Sequence, residues 1–82
     1  MGMNGVHLDS GYSTPDPEEA ILKRTAIQQS EEAFVLVDNS KFNQTSFVSV
    51  ASLSAASILT DTCPLVIHDQ ITEQTTLKEV SV

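Results

Sequence analysis

Apolar positions in this chain fall into short blocks separated by polar turns. Residues 34–37, FVLV, are four apolar residues in a row that run straight into Asp38, Asn39, Ser40 and Lys41 without alternation. An uninterrupted β-branched and aromatic run of this kind predicts a strand covered on both faces, as in the parallel sheet of an α/β domain. Residues 57–60, SILT, predict a second buried strand that also ends in a carboxylate, Asp61. The segment FVSVASL at 47–53 has strand-like composition, with a short helical turn as the alternative. Residues 77–82 predict a last short strand with Val80 and Val82 on one face.

Helix signals occur twice. Asp16 is suited to cap, Pro17 to the first helical position, and Glu19 to reach back as a capping-box partner. Glu18 and Glu19 also complement the positive end of the helix dipole. The helix is expected to run to about residue 31 and to bury Ala20, Ile21, Ala26 and Ile27 on a stripe of helical spacing. Lys23 and Arg24 read as a solvated face, with Glu19 pairing to Lys23 four residues on. Pro64 can open a second helix over 65–72, capped by Thr62 or Cys63. Residues 1–15, rich in Gly, Ser and Asn, read as loop. The order loop, helix, strand, polar loop, strand, helix, strand predicts an α/β fold with parallel pairing. Such a sheet normally begins with a strand, and three strands with two helices close a core poorly. The expected architecture is therefore an incomplete fragment of a larger domain.

At 82 residues the chain allows one small domain, which buries only about two thirds of its extended surface. Three Phe, one Tyr and no Trp make the core depend on Val, Ile, Leu and Ala. Four Lys plus Arg against eleven Asp plus Glu give a formal charge of −7, which opposes nucleic-acid binding and docking to an anionic membrane surface. Cys63 is alone, and His7 and His68 are distant from it, so it reads as a small semi-buried hydrophobe and no metal or cofactor is expected. No apolar stretch approaches a membrane span and the N-terminus has no signal pattern, so the expected address is cytoplasmic.

In open α/β sheets, ligands sit in the crevice outside the carboxyl ends of the strands. The tetrad 38–41 falls there with one carboxylate, one amide, one hydroxyl and one ammonium. That set suits an anionic, hydroxyl-rich ligand such as a sugar phosphate. The same residues are also ordinary turn chemistry after a buried strand.

Four landmarks in register carry a family resemblance. Residues 2–6, GMNGV, look like a G-x-[DN]-G-[IV] turn. Ser13-Thr14-Pro15, with Glu19-Ala20 and Lys23-Arg24, resembles a T-T-P…E-A…K-R helix start. Residues 34–42 resemble an apolar strand ending in D-x-S-K-F, and Leu59-Thr60-Asp61 resembles an I-T-D strand end. Over essentially all 82 residues the chain resembles the carboxyl-terminal part of the effector-sensing domain of DeoR-type bacterial transcriptional regulators. The resemblance implies a Rossmann-like, mostly parallel sheet flanked by helices, similar to ribose 5-phosphate isomerase and glucosamine-6-phosphate deaminase. It implies a phosphorylated sugar or related metabolite as effector, with DNA bound only through a separate winged-helix domain absent from this chain. Carried over by position, Asn4, Gly5, Lys23, Asp38, Ser40 and Lys41 would line the site, followed by Thr60 and Asp61.

Two other classes compete with a sensor. A sugar-phosphate isomerase or deaminase needs a positioned general base, usually a carboxylate. The isomerases carry acidic residues in the turn and near the helix position that resemble Asn4 and Lys23; an amide and an ammonium cannot take that proton. Recognition without turnover is expected, so no catalytic residue is assigned. A structural segment is the third class, because exposed sheet edges can associate and regulators of this family commonly form homo-oligomers through the sensor half.

Overall fold

The apolar run at 34–37 forms a strand, and its sheet is parallel. The computed structural model describes residues 1–80. In chain order they form β1 (Gly5–His7), β2 (Gly11–Thr14), α1 (Pro17–Gln29), β3 (Phe34–Val37), β4 (Val48–Ala51), β5 (Ser57–Thr60), α2 (Leu65–Gln74) and β6 (Leu77–Glu79). Short 3-10 turns at Asn39–Lys41 and Leu53–Ala55 lie on either side of β4. The strands divide into two three-stranded sheets. In one, β3-β5-β6, every pair is parallel; in the other, β1-β2-β4, every pair is antiparallel. The fold is mixed α/β, and the expected parallel pairing holds for one of its two sheets. The expected place of Val82 on the last strand lies outside the described residues.

The antiparallel sheet corrects the reading of residues 1–15 as loop. Strands as short as GVH and GYST carry little intrinsic signal, and tertiary pairing decides them. Gly11 takes φ +73°, which glycine adopts freely, and a Cβ there would stand 2.2 Å from the Ala51 carbonyl oxygen. Tyr12, Ser13 and Thr14 follow with no exposed surface. The Tyr12 hydroxyl reaches the carbonyls of Leu53 and Ala56 at 2.9 and 2.8 Å, fixing β2 against the turn after β4.

Helix α1 starts as expected: Pro17 is its first residue, and the Asp16 carboxylate accepts from the Glu18 N–H at 2.9 Å. Its packing face differs from the expected stripe. Ala20 is buried, Lys23 and Ile27 are half-buried, and Ile21 and Ala26 are exposed. The contact face follows 20, 23 and 27, a helical stripe hidden in the sequence by the cation at 23. Arg24 is exposed, as expected, and it also donates to the carbonyls of Val50 at 3.0 Å and Ser49 at 2.6 Å, tying the helix to β4. Glu19 accepts from the Thr14 hydroxyl at 3.3 Å, and no Glu19–Lys23 ion pair forms among the described residues. Helix α2 extends to Gln74, and Pro64 itself occupies the cap position expected for Thr62 or Cys63.

The parallel sheet is covered on one face only. Val35 pairs with Ile58 and Leu36 with Leu59, and residues paired in this way share a face. Val35 and Ile58 are fully buried in one core cluster with Tyr12, Leu53, Ile67 and Ile71. Phe34 and Leu36, on the opposite face, are 42% and 54% exposed. The expectation of burial on both faces fails because the described chain packs against the Val35 side alone.

Candidate functional site

The carboxyl ends of β3, β5 and β6 frame an open cavity of about 520 Å³. Its floor is apolar, formed by Leu36 and Val37 of β3, Leu59 of β5, and Val80 just past β6. Gly2 and Met3 close one side, because the chain start runs parallel to β3: Gly2 bridges to Leu36, and the Leu36 N–H donates to the Met1 carbonyl at 2.7 Å. The polar lining is Asp38, Lys41, Thr60 and Asp61.

The ends of β3 and β5 each hold an aspartate by one carboxylate oxygen, which accepts from a backbone N–H and a hydroxyl. After β3, Asp38 caps the 3-10 turn Asn39–Lys41, and its Oδ1 accepts from the N–H of Ser40 at 2.9 Å and from the Ser40 hydroxyl. The Lys41 N–H closes the turn on the Asp38 carbonyl at 3.1 Å. The Ser40 hydroxyl, then its N–H, hold the Asp38 carboxyl below its usual range, with a smaller contribution from Lys41. After β5, Asp61 Oδ1 accepts from the Thr62 N–H at 2.7 Å and from the Thr60 hydroxyl at 3.2 Å. Val37 and Thr60 are register partners, so the two aspartates leave neighbouring strands at equivalent positions.

Of the residues expected in the site, Asp38, Lys41, Thr60 and Asp61 come together around this cavity. Ser40 sits behind it as the donor that holds Asp38. Asn4 lies in the antiparallel half, where its side-chain oxygen accepts from the Thr14 hydroxyl at 3.2 Å. Gly5 is buried on β1, and a Cβ there would meet the Gln44 carbonyl oxygen at 2.5 Å. Lys23 is half-buried on α1 and does not line the cavity. Sequence reasoning missed the apolar floor. Reading 34–37 and 57–60 with period two puts Leu36 and Leu59 on the face away from Val35 and Ile58, and that signal was available. The place of Gly2 and Met3 was not, because it depends on a bridge spanning more than thirty residues.

Cys63 is packed in the core, where burial and then the charge of Glu79 push its thiol up. Its N–H donates to Glu79 at 3.4 Å, and His68 Nε2 stands 3.4 Å from the same carboxylate. These contacts join α2 to β6, and this cysteine has the surroundings of a structural residue. Among the described residues no helix is long and apolar enough to cross a membrane.

Comparison with known proteins agrees with the family resemblance read from the sequence. The family model described as the DeoR C terminal sensor domain matches residues 1–62. The chain is 44% identical over 80 residues to the uncharacterised HTH-type transcriptional regulator FruR of Bacillus subtilis (strain 168), covering 98% of this chain and 32% of that protein. It is 34% identical over 53 residues to the HTH-type transcriptional regulator GlpR of Haloferax volcanii, covering 65% of this chain and 21% of that protein. The chain thus spans a third or less of the length of these relatives, which are transcriptional regulators and not enzymes. It belongs to the DeoR C-terminal sensor domain family.

Proposed function

We propose that, as a member of this sensor family, the chain forms the carboxyl-terminal portion of an effector-sensing domain in a DeoR-type repressor, with a phosphorylated sugar or related metabolite as effector. The observation that carries this reading is the cavity at the carboxyl ends of the parallel strands, where Asp38, Lys41, Thr60 and Asp61 converge over an apolar floor. Open parallel sheets take their ligands at this end. A few convergent polar groups on an apolar wall are the usual composition of a small-molecule site.

The roles divide by contact. Asp38, Lys41, Thr60 and Asp61 face the effector, and Ser40 positions Asp38. DNA is bound through a separate winged-helix domain, since a chain of charge −7 is a poor partner for phosphate backbones. The regulator works in the cytoplasm, where operator and metabolite meet. Homo-oligomerisation has some support in the exposed apolar pair Phe34 and Leu36.

Replacing Lys41 by alanine in the intact regulator tests the reading. Effector response, measured as release of operator DNA on adding metabolite, is expected to disappear while operator affinity without metabolite and the association state are unchanged. Loss of operator binding itself would sink the proposal.

A further inference from the structure

The backbone around β1 makes position 5 a place where only glycine fits. A Cβ on Gly5 would stand 2.5 Å from both the Gln44 carbonyl oxygen and the Ser13 hydroxyl oxygen. Asn4 precedes it, exposed in a bend between buried Met3 and the strand. A glycine after an asparagine offers its backbone nitrogen to the asparagine side chain with no Cβ in the way. The close approach that requires Gly5 therefore also leaves the Asn4 side-chain carbonyl open to that nitrogen.

The other two asparagines of the chain are better shielded. Ser40 follows Asn39, and its N–H is held by Asp38 Oδ1 at 2.9 Å within a 3-10 turn. Gln44 follows Asn43 with a full side chain, and Asn43 itself is fixed at φ +63° with its N–H on the Val6 carbonyl at 2.8 Å.

The amide at position 4 also matters to its surroundings. Thr14 has no exposed surface, and its hydroxyl stands 3.2 Å from Asn4 Oδ1 and 3.3 Å from Glu19 Oε2. That hydroxyl has one proton, which serves one of the two acceptors at a time. An asparagine amide can turn its nitrogen toward Thr14 and donate, leaving the Thr14 proton for Glu19. A carboxylate at position 4 has nothing to donate, and it would meet the Glu19 carboxylate across a buried oxygen.

We propose that Asn4–Gly5 is a self-modification site, where the protein deamidates without an enzyme and thereby breaks the Asn4–Thr14–Glu19 network. The Gly5 nitrogen attacks the Asn4 side-chain carbonyl carbon. The new N–C bond closes a cyclic imide, and the amide nitrogen leaves as ammonia with the Gly5 N–H proton. Water then opens the ring at either carbonyl, giving aspartate or, with one extra backbone carbon, isoaspartate. Either product adds negative charge to a chain already at −7. The isoaspartate also lengthens the backbone where β1 is crowded by Ser13 and Gln44. This chemistry is independent of the effector reading.

Peptide mapping by mass spectrometry, after incubating the intact protein at mildly alkaline pH, tests the site. Conversion is expected at Asn4 ahead of Asn39 and Asn43, with aspartate and isoaspartate both present. Earlier conversion at Asn39 or Asn43, or none at Asn4, would overturn the proposal. The consequence is tested by Asn4→Asp made directly. Its melting midpoint is expected about 4–8 °C below the parent's, the shift for losing one hydrogen bond in a domain of this size. Adding Glu19→Gln supplies a donor beside Thr14 and should recover most of that loss, a comparison that stands even if Asn4→Asp alone has no cooperative melt. An unchanged midpoint for Asn4→Asp, or no recovery by Glu19→Gln, would show that the network does not depend on the amide.

Discussion

The two sheets of this molecule are built from similar numbers of residues and solve opposite problems. Antiparallel β1-β2-β4 is closed: β2 has no exposed residue, α1 packs across β2 and β4, and Arg24 bonds two carbonyls of β4. Parallel β3-β5-β6 is open: one face is in the core, while the other exposes Phe34 and Leu36 and ends in a cavity of carboxylates and a lysine. Rigidity and accessibility are thus divided between sheets. The closed sheet is a fixed support, and the open one presents groups whose orientation is set by turns instead of by burial. Preorganised groups on a rigid frame are what a recognition site requires.

Three experiments would break or sharpen that contrast. The largest effect is expected in the closed sheet, from Gly11→Ala. The added methyl meets the Ala51 carbonyl at 2.2 Å in a left-handed backbone, so the substitution should cost about 4 kcal/mol or more and abolish the cooperative melt. A stable Gly11→Ala protein would mean that β2 is not held where it is described. Next, Ile58→Ala and Leu36→Ala compare the two faces of the open sheet. The first should lose roughly 2–4 kcal/mol by denaturant unfolding and the second under about 1 kcal/mol. Equal losses would show that the Leu36 face is covered in solution.

The smallest effect is a pH dependence confined to the closed sheet. Burial raises the Tyr12 hydroxyl well above its ordinary value of 10.0. A raised native value means that the folded state keeps a proton the unfolded state gives up. The stabilisation is therefore complete below about pH 10 and is lost as pH rises toward the native value. Tyr12→Phe should lose about 1–2 kcal/mol at neutral pH, because the Leu53 and Ala56 carbonyls lose a donor. It should also show a shallower alkaline decline of melting temperature than the parent. Identical alkaline slopes would assign the decline to other groups, the buried Cys63 thiol among them.

Local chemistry made the open sheet legible in the sequence. A β-branched run at 34–37 and SILT at 57–60 are strands because their composition favours extended backbone, and both end where they were expected to. Asp16 and Pro17 start α1 because capping needs only neighbouring atoms. The Asp38–Lys41 tetrad forms the turn that its own side chains dictate. These features depend on contacts a few residues long, and so does half of the candidate site.

Tertiary structure alone decided the rest. Strand β2 owes its place to pairing with β4 more than thirty residues away, β1 pairs in turn with β2, and Gly-, Ser- and Asn-rich composition hides both. Exposed Arg24 ties α1 to β4 because two carbonyls of that strand lie within its reach, which no helical periodicity can reveal. The exposure of Phe34 and Leu36 depends on what does or does not pack above them, while an apolar run states only that burial would be favourable. Burial and long-range pairing are properties of the whole folded chain. Hydrogen-bonded turns and backbone preferences belong to neighbours in sequence, and this chain could be read as far as those neighbours reach.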